Sequence, residues 1–184
     1  SHMNNKKDTL WTSLNEKKKI FIKYKNENLN VSFFNINGNK ICILGNPILD
    51  GRIDNEKFSK IYFQKRENLN WLKTINGEFV LFFIPKNKGF LEVTNSRFNF
   101  PTIWYYFTKN IFLISFSFTD LVLLLKKYNL LELNEASFFE VLMFRRNFGS
   151  KTLEKNTKMI MPATRLVYDG KKIKKFKYWK PNFK

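Results

Sequence analysis

From Ile20 onward, apolar and polar residues alternate in short runs. Ile20 to Lys25, Asn30 to Asn35 and Lys40 to Leu44 therefore read as strands, with Asn37-Gly38 supplying the positive-φ pair of a tight hairpin. Gly45-Asn46-Pro47 then breaks the strand pattern. Asp54-Asn55-Glu56 caps a helix running through Phe58, Ile61 and Tyr62, whose spacing gathers apolar groups on one side, and Asn70 to Thr74 forms a shorter helical piece. Glu78 to Ile84 is an unbroken apolar run, too short for a typical helix and rich in aromatic and branched residues. It marks a central strand buried on both faces.

Past the turn residues Pro85 to Gly89, Phe90 to Thr94, Ile103 to Thr108 and Ile111 to Phe116 read as further strands, with Lys109-Asn110 as a hairpin loop. Thr119 caps a helix over Asp120 to Tyr128, whose acidic start and Lys126-Lys127 end both match the helix dipole. Asn134 caps another over Glu135 to Arg145, with Phe138, Val141 and Leu142 facing a core. After a loop over Asn147 to Lys158, Thr164 to Tyr168 and Lys172 to Lys177 form a closing hairpin around Asp169-Gly170, a pair suited to a type I′ turn. The order of elements predicts an α+β domain with two mainly antiparallel sheet layers.

Asn5 to Lys19 offers only Leu10, Trp11 and Leu14 as apolar anchors and reads as a loose arm or short helix. Ser1-His2-Met3 reads as the remnant of a cleaved tag. The expected organisation is thus residues 1–3 as remnant, 4–19 as arm, and 20–184 as a single domain. With 43% hydrophobic residues, 21 Phe among them, the 184-residue chain has enough apolar side chain for one core.

His2 is the only histidine and falls in the remnant. The native chain therefore has no imidazole for a Ser-His or Cys-His pair or for metal ligation. Cys42 is the only cysteine, which excludes an intramolecular disulfide and any multi-cysteine metal site and suits a reducing compartment. The expectations are no metal, no cofactor, no membrane and a cytoplasmic location. Cys42 is expected to be buried and structural.

A net charge of +18 raises nucleic acid as a partner. The basic clusters that would carry it are Lys17-Lys18-Lys19, Arg145-Arg146, Lys171-Lys172 and Lys174-Lys175. Lys, Asn, Ile and Phe are abundant together, however, as an AT-rich coding sequence would make them, and the lysines are scattered along the chain.

Asn76-Gly77-Glu78-Phe79, the strand that follows, and Arg97-Phe98-Asn99-Phe100-Pro101-Thr102-Ile103-Trp104-Tyr105-Tyr106 form a block in fixed order. Downstream come Ser115 to Leu121, Leu133-Asn134-Glu135-Ala136, Gly149-Ser150-Lys151-Thr152-Leu153, and Met161-Pro162-Ala163-Thr164 through Asp169-Gly170 to Tyr178-Trp179. Together, over roughly Asn70 to Pro181, these resemble the class II glutamine amidotransferase domain of the asparagine synthetase, β-lactam synthetase and lasso-peptide cyclase superfamily. The resemblance implies an N-terminal-nucleophile hydrolase fold, a four-layer αββα sandwich. It also implies an N-terminal cysteine that releases ammonia from glutamine for an ATP-pyrophosphatase domain.

This chain has no such cysteine, since Cys42 falls within a strand. Ser96 stands where the resemblance implies an aspartate that grips the glutamine α-amino group, and a neutral hydroxyl cannot make that charge-assisted bond. Asn76, Gly77 and Glu78 remain at positions that line the oxyanion hole and glutamine site in the resembled family. For Gly77 and Asn76, turn geometry into the central strand is the favoured explanation, and Glu78 is the residue most suited to keep a polar ligand role.

The expected function is a non-catalytic, vestigial glutaminase-like domain, inactive alone and part of an ATP-dependent ligase-type assembly. It would pack on an ATP-pyrophosphatase-type subunit or domain, with Phe139, Phe144 and Trp179 as candidate docking residues and Phe138 as a further anchor expected to be core. The alternative is a basic binding module for nucleic acid or another acidic partner.

Overall fold

The computed structural model describes residues 9–15, 18–23, 30–86 and 90–182, with backbone alone for the first two stretches. The chain divides into two compact units, residues 1–27 with 102–159 and residues 28–101 with 160–184. In each unit, strands from distant parts of the chain close the sheet.

The second unit is built on a seven-stranded antiparallel sheet. Its strands are β3 (Val31–Ile36), β4 (Asn39–Leu49), β5 (Arg52–Ile53), β6 (Asn76–Ile84), β7 (Leu91–Asn95), β11 (Thr164–Tyr168) and β12 (Ile173–Lys177), in the order β12-β11-β7-β6-β4-β3 with β5 paired to β4. Asn37 and Gly38 both take positive φ, 53° and 80°, and join β3 to β4 as a two-residue loop closed by the Ile36–Asn39 pair. The closing hairpin departs from the expected type I′ turn. Tyr168 pairs with Ile173, so the loop has four residues, and the Asp169 carboxylate accepts the amides of Lys171 and Lys172. These two bonds hold the Asp169 carboxyl below its ordinary value.

Gly45-Asn46-Pro47 does not break β4, which continues through Leu49. The β3 partner ends at Val31–Leu44, so the side of β4 that would receive a Pro47 amide bond from β3 is open at that point. Across the other side, Gly45, Asn46 and Pro47 pair with Phe79, Glu78 and Gly77.

Helix α1 (Asn55–Lys65) begins where Asp54 accepts the Lys57 amide at 2.9 Å, as its sequence requires. Asn68 likewise caps the short α2 (Leu69–Leu72). Phe58 and Tyr62 of α1 and Leu72 of α2 are buried with Ile41, Ile43, Phe79, Leu81 and Phe83 of the sheet. On β6 the residues pointing the opposite way, Val80, Phe82 and Ile84, are buried as well, which makes it the inner strand buried on both faces that its sequence predicts.

The first unit carries the hairpin β1 (Thr9–Asn15) with β2 (Lys18–Lys23), and a three-stranded antiparallel sheet of β8 (Trp104–Phe107), β9 (Phe112–Ser115) and β10 (Thr157–Met159), in the order β10-β8-β9. Residues 9–15 are a strand, not the helix or arm expected of Asn5 to Lys19. Leu10, Thr12 and Leu14 alternate with Trp11 and Ser13, a period of two that the charged flanks obscure. Residues 5–8 and 16–17 of that stretch and the turn residues Asn87 to Gly89 lie outside the described residues. The loop expected over Asn147 to Lys158 ends in β10.

Helix α3 (Phe118–Lys127) starts one residue pair earlier than its sequence suggests, because Ser117 accepts the Asp120 amide at 3.1 Å and takes the capping role expected of Thr119. Its Leu121 and Leu125 pack with Tyr106 of β8. Helix α4 (Glu135–Phe144) is capped by Asn134 as expected, and Arg145 ends it in the left-handed conformation. Its apolar stripe was expected to face a core. Instead Phe138 is 41% and Leu142 62% exposed, and Ser137 is the buried residue of the helix. Mixed α+β architecture with antiparallel sheets is the expected class.

Candidate functional site

The four positions that the sequence singles out as a vestigial glutamine site converge at one end of β6. Asn76, Gly77 and Glu78 open that strand, and Ser96, one residue past β7, donates its amide to the Phe79 carbonyl at 2.9 Å. Asn76 and Glu78 are exposed, Gly77 is half-buried and Ser96 is fully buried.

Gly77 is held by backbone geometry. Its φ is +85°, and a Cβ at this position would lie 2.1 Å from the Asn46 carbonyl oxygen across the ladder. Gly45 repeats the arrangement from the other strand, with φ +95° and the Glu78 carbonyl 2.2 Å from its missing Cβ. The two glycines thus permit a close approach of β4 and β6 that any side chain would force apart.

The Ser96 hydroxyl is turned into its own turn, donating to the Phe100 carbonyl at 3.2 Å and accepting the Phe100 amide at 3.4 Å. Around it, Asn95 organises the backbone. Its amide nitrogen reaches Asn99 Oδ1 at 2.6 Å and the Met161 carbonyl at 3.0 Å, while its own Oδ1 accepts the Thr164 amide at 2.8 Å. Tyr178 donates to the Asn95 carbonyl at 2.6 Å, and burial raises the pKa of this phenol. The loop after β7 and the segment that includes Met161 to Thr164 are therefore locked together by one buried asparagine. Its sequence signal, an Asn at a strand end followed by a turn, is too common to single it out.

The adjoining surface is aromatic. Trp179, a candidate docking residue, is half-buried, its ring 5.4 Å from the Arg97 guanidinium and 6.1 Å from Phe98 in edge contact. Arg97 also donates to the Lys73 carbonyl. Phe98 and Phe100 stand 74% and 51% exposed beside this cluster. The other docking candidates, Phe139 and Phe144, belong to α4 in the first unit and are 59% and 55% exposed. Phe138, expected in a core, is exposed with them. Its helical spacing with Val141 and Leu142 reads as a core-facing stripe regardless of what covers it.

A second polar cluster, which the sequence did not signal, lies beneath α1. Glu92 of β7 is 1% exposed and pairs with Arg165 of β11, while the Arg66 Nε lies 3.5 Å from its other oxygen. The Tyr62 hydroxyl, 2.7 Å from Thr94 Oγ1, completes the cluster. Burial raises the Glu92 carboxyl above its usual value, against the opposing pull of Arg165 and Arg66. The register brings these groups together, since Arg165 pairs with Thr94 and Glu92 with Phe83.

Cys42, in the middle of β4, is buried, and desolvation pushes its thiol up to about 12, so it stays a thiol at neutral pH. Among the described residues no three metal-ligating side chains cluster, and no helix is long and apolar enough to cross a membrane. Arg145-Arg146 belong to one unit and Lys171-Lys172 with Lys174-Lys175 to the other. Lys17 lies outside the described residues, and of Lys18 and Lys19 only the backbone is described.

No family model matches this sequence, and no curated protein matches it.

Proposed function

We propose that the chain is a non-catalytic glutaminase-like domain of the asparagine synthetase type that packs on an ATP-pyrophosphatase partner, either a separate subunit or a further domain. The observation that carries this reading is the state of Ser96. The positions that would hold glutamine are gathered at the end of β6, but the Ser96 hydroxyl is buried, bonded to both backbone groups of Phe100, and carries no charge for an α-amino group. Gly77 is accounted for by the Asn46 carbonyl rather than by a ligand. What remains open there is the aromatic rim of Phe98, Phe100 and Trp179, side chains that dominate the energetics of protein interfaces.

The four-layer αββα arrangement belongs to the same proposal. It is supported by α1 and α2 packing on one face of the seven-stranded sheet, and by α3 packing on the three-stranded one. The domain needs no cofactor in this role, and a cytoplasmic location accords with its single buried thiol.

The test is an assay of ammonia release from glutamine by the tag-free protein, together with co-expression with an ATP-pyrophosphatase-type protein. The expected result is no release above the uncatalysed rate, and a complex lost in Phe98→Asp and Trp179→Asp variants. Ammonia release refutes the non-catalytic role. Recovery of nucleic acid alone, abolished by nuclease, replaces the packing role with that of a basic binding module.

A further inference from the structure

Helix α4 is apolar round most of its circumference, and it is largely open. Phe138, Phe139, Leu142 and Met143, at 41, 59, 62 and 74% exposure, occupy positions i, i+1, i+4 and i+5 and so form one continuous stripe. Phe144, the last residue of the helix, falls on its other side, where its ring makes edge contact with Phe148 at 5.3 Å. A helix with this composition is normally a core helix. Taking about 200 Å² for each large side chain, the four leave roughly 500 Å² of apolar surface open, the larger part of the ~800 Å² per partner of a standard stable interface.

The charges around the stripe are ordered. Glu140 is engaged by Lys151 and by the Phe148 amide. Glu135 heads the helix, and Arg145 and Arg146 follow its last residue, all three exposed. Acid marks one end of the apolar stripe and base the other.

We infer that a second copy of this chain covers the α4 stripe, with the two helices antiparallel about a two-fold axis. In that arrangement each Glu135 faces the Arg145-Arg146 end of the partner helix, and the contact is made twice by symmetry. The opposed helix dipoles favour the same orientation. A parallel pair would bring Glu135 to Glu135 and Arg146 to Arg146. The helix also lacks the strongly charged, water-facing side of a helix that lies on a membrane. This inference is independent of the glutaminase-like reading.

The test is sedimentation equilibrium of the full chain over a hundredfold concentration range at ~150 mM salt, where long-range repulsion between the basic copies is screened. The expected result is a reversible equilibrium between the 22.2 kDa chain and its dimer. Leu142→Glu and Phe139→Asp, checked for folding by circular dichroism, should weaken it by about tenfold or more. Glu135→Lys alone and Arg146→Glu alone should each weaken association, and the two together should restore it. A monomer at every concentration overturns the inference, as does a dimer indifferent to Leu142→Glu, or a charge-swapped double variant no better than the singles.

Discussion

If backbone geometry is what requires glycine at position 77, Gly77→Ala is measurably destabilised. The residue takes φ +85°, and the new Cβ would lie 2.1 Å from the Asn46 carbonyl oxygen, an atom fixed in the β4–β6 ladder. The positive φ alone costs about 1–3 kcal/mol. Relieving the contact requires β4 and β6 to separate locally, weakening one or two ladder hydrogen bonds at about 1 kcal/mol each. A total loss of about 2–5 kcal/mol follows, which for a chain of this size lowers the melting temperature by about 2–4 °C per kcal/mol. Asn76→Ala and Glu78→Ala, at exposed neighbouring positions, should change stability by no more than about 0.5 kcal/mol. Urea unfolding of the three variants beside the parent measures this directly. If Gly77→Ala unfolds within ~0.5 kcal/mol of the parent, the backbone account is wrong, and a ligand-binding role for Gly77 becomes the better explanation.

Two further predictions concern buried titratable groups. Arg165→Met should strand the Glu92 carboxylate among Tyr62, Thr94 and Arg66 at a cost of about 3–5 kcal/mol at pH 7.5. Glu92 is already raised by burial, and losing Arg165 raises it further, so the folded state takes up a proton before the unfolded chain as pH falls. The loss should therefore shrink toward pH 5, and a loss that is constant or larger at pH 5 in urea titrations contradicts the assignment. For Cys42, the folded thiol is pushed up to about 12 while the unfolded one ionises near its ordinary 9.0, so the folded state holds the extra proton between those values. Its contribution to stability should fall as pH rises above 9, by up to about 1.4 kcal/mol per pH unit, and Cys42→Ala should remove that slope. Iodoacetamide at pH 8 should label the thiol only after denaturant is added, as read by mass spectrometry, and labelling of the folded protein at the rate of a free thiol would exclude the buried state.

What the sequence made legible follows from the range of the interactions involved. The caps of Asp54 and Asn134 and the Asn37-Gly38 hairpin depend on residues within four positions of one another, and they form where local chemistry places them. Residues Glu78 to Ile84 announced an inner strand because a run without polar alternation is stable only when both faces are covered. The errors came where a partner strand decides the outcome. Pro47 reads as a breaker until the end of the β3 pairing at Leu44 leaves its side of the ladder open. Glu92 and Arg165 are separated by 73 positions and meet only through the β7–β11 pairing.

The candidate site divides along the same line. At Ser96 the sequence shows a neutral hydroxyl where the resemblance implies a carboxylate, but its engagement by Phe100 depends on a turn that composition does not encode. Helix α4 is the opposite case. Its sequence specifies an apolar helix, but whether such a helix lies in a core is decided by what packs on it, and Phe138 and Leu142 stand exposed. A chain that folds its apolar residues away in β4, β6 and α1 yet leaves Phe138, Phe139, Leu142 and Met143 open presents four exposed large apolar residues along one side of a single helix. Exposed surface of that size and order is best understood as half of an interface, with its other half supplied by another protein surface.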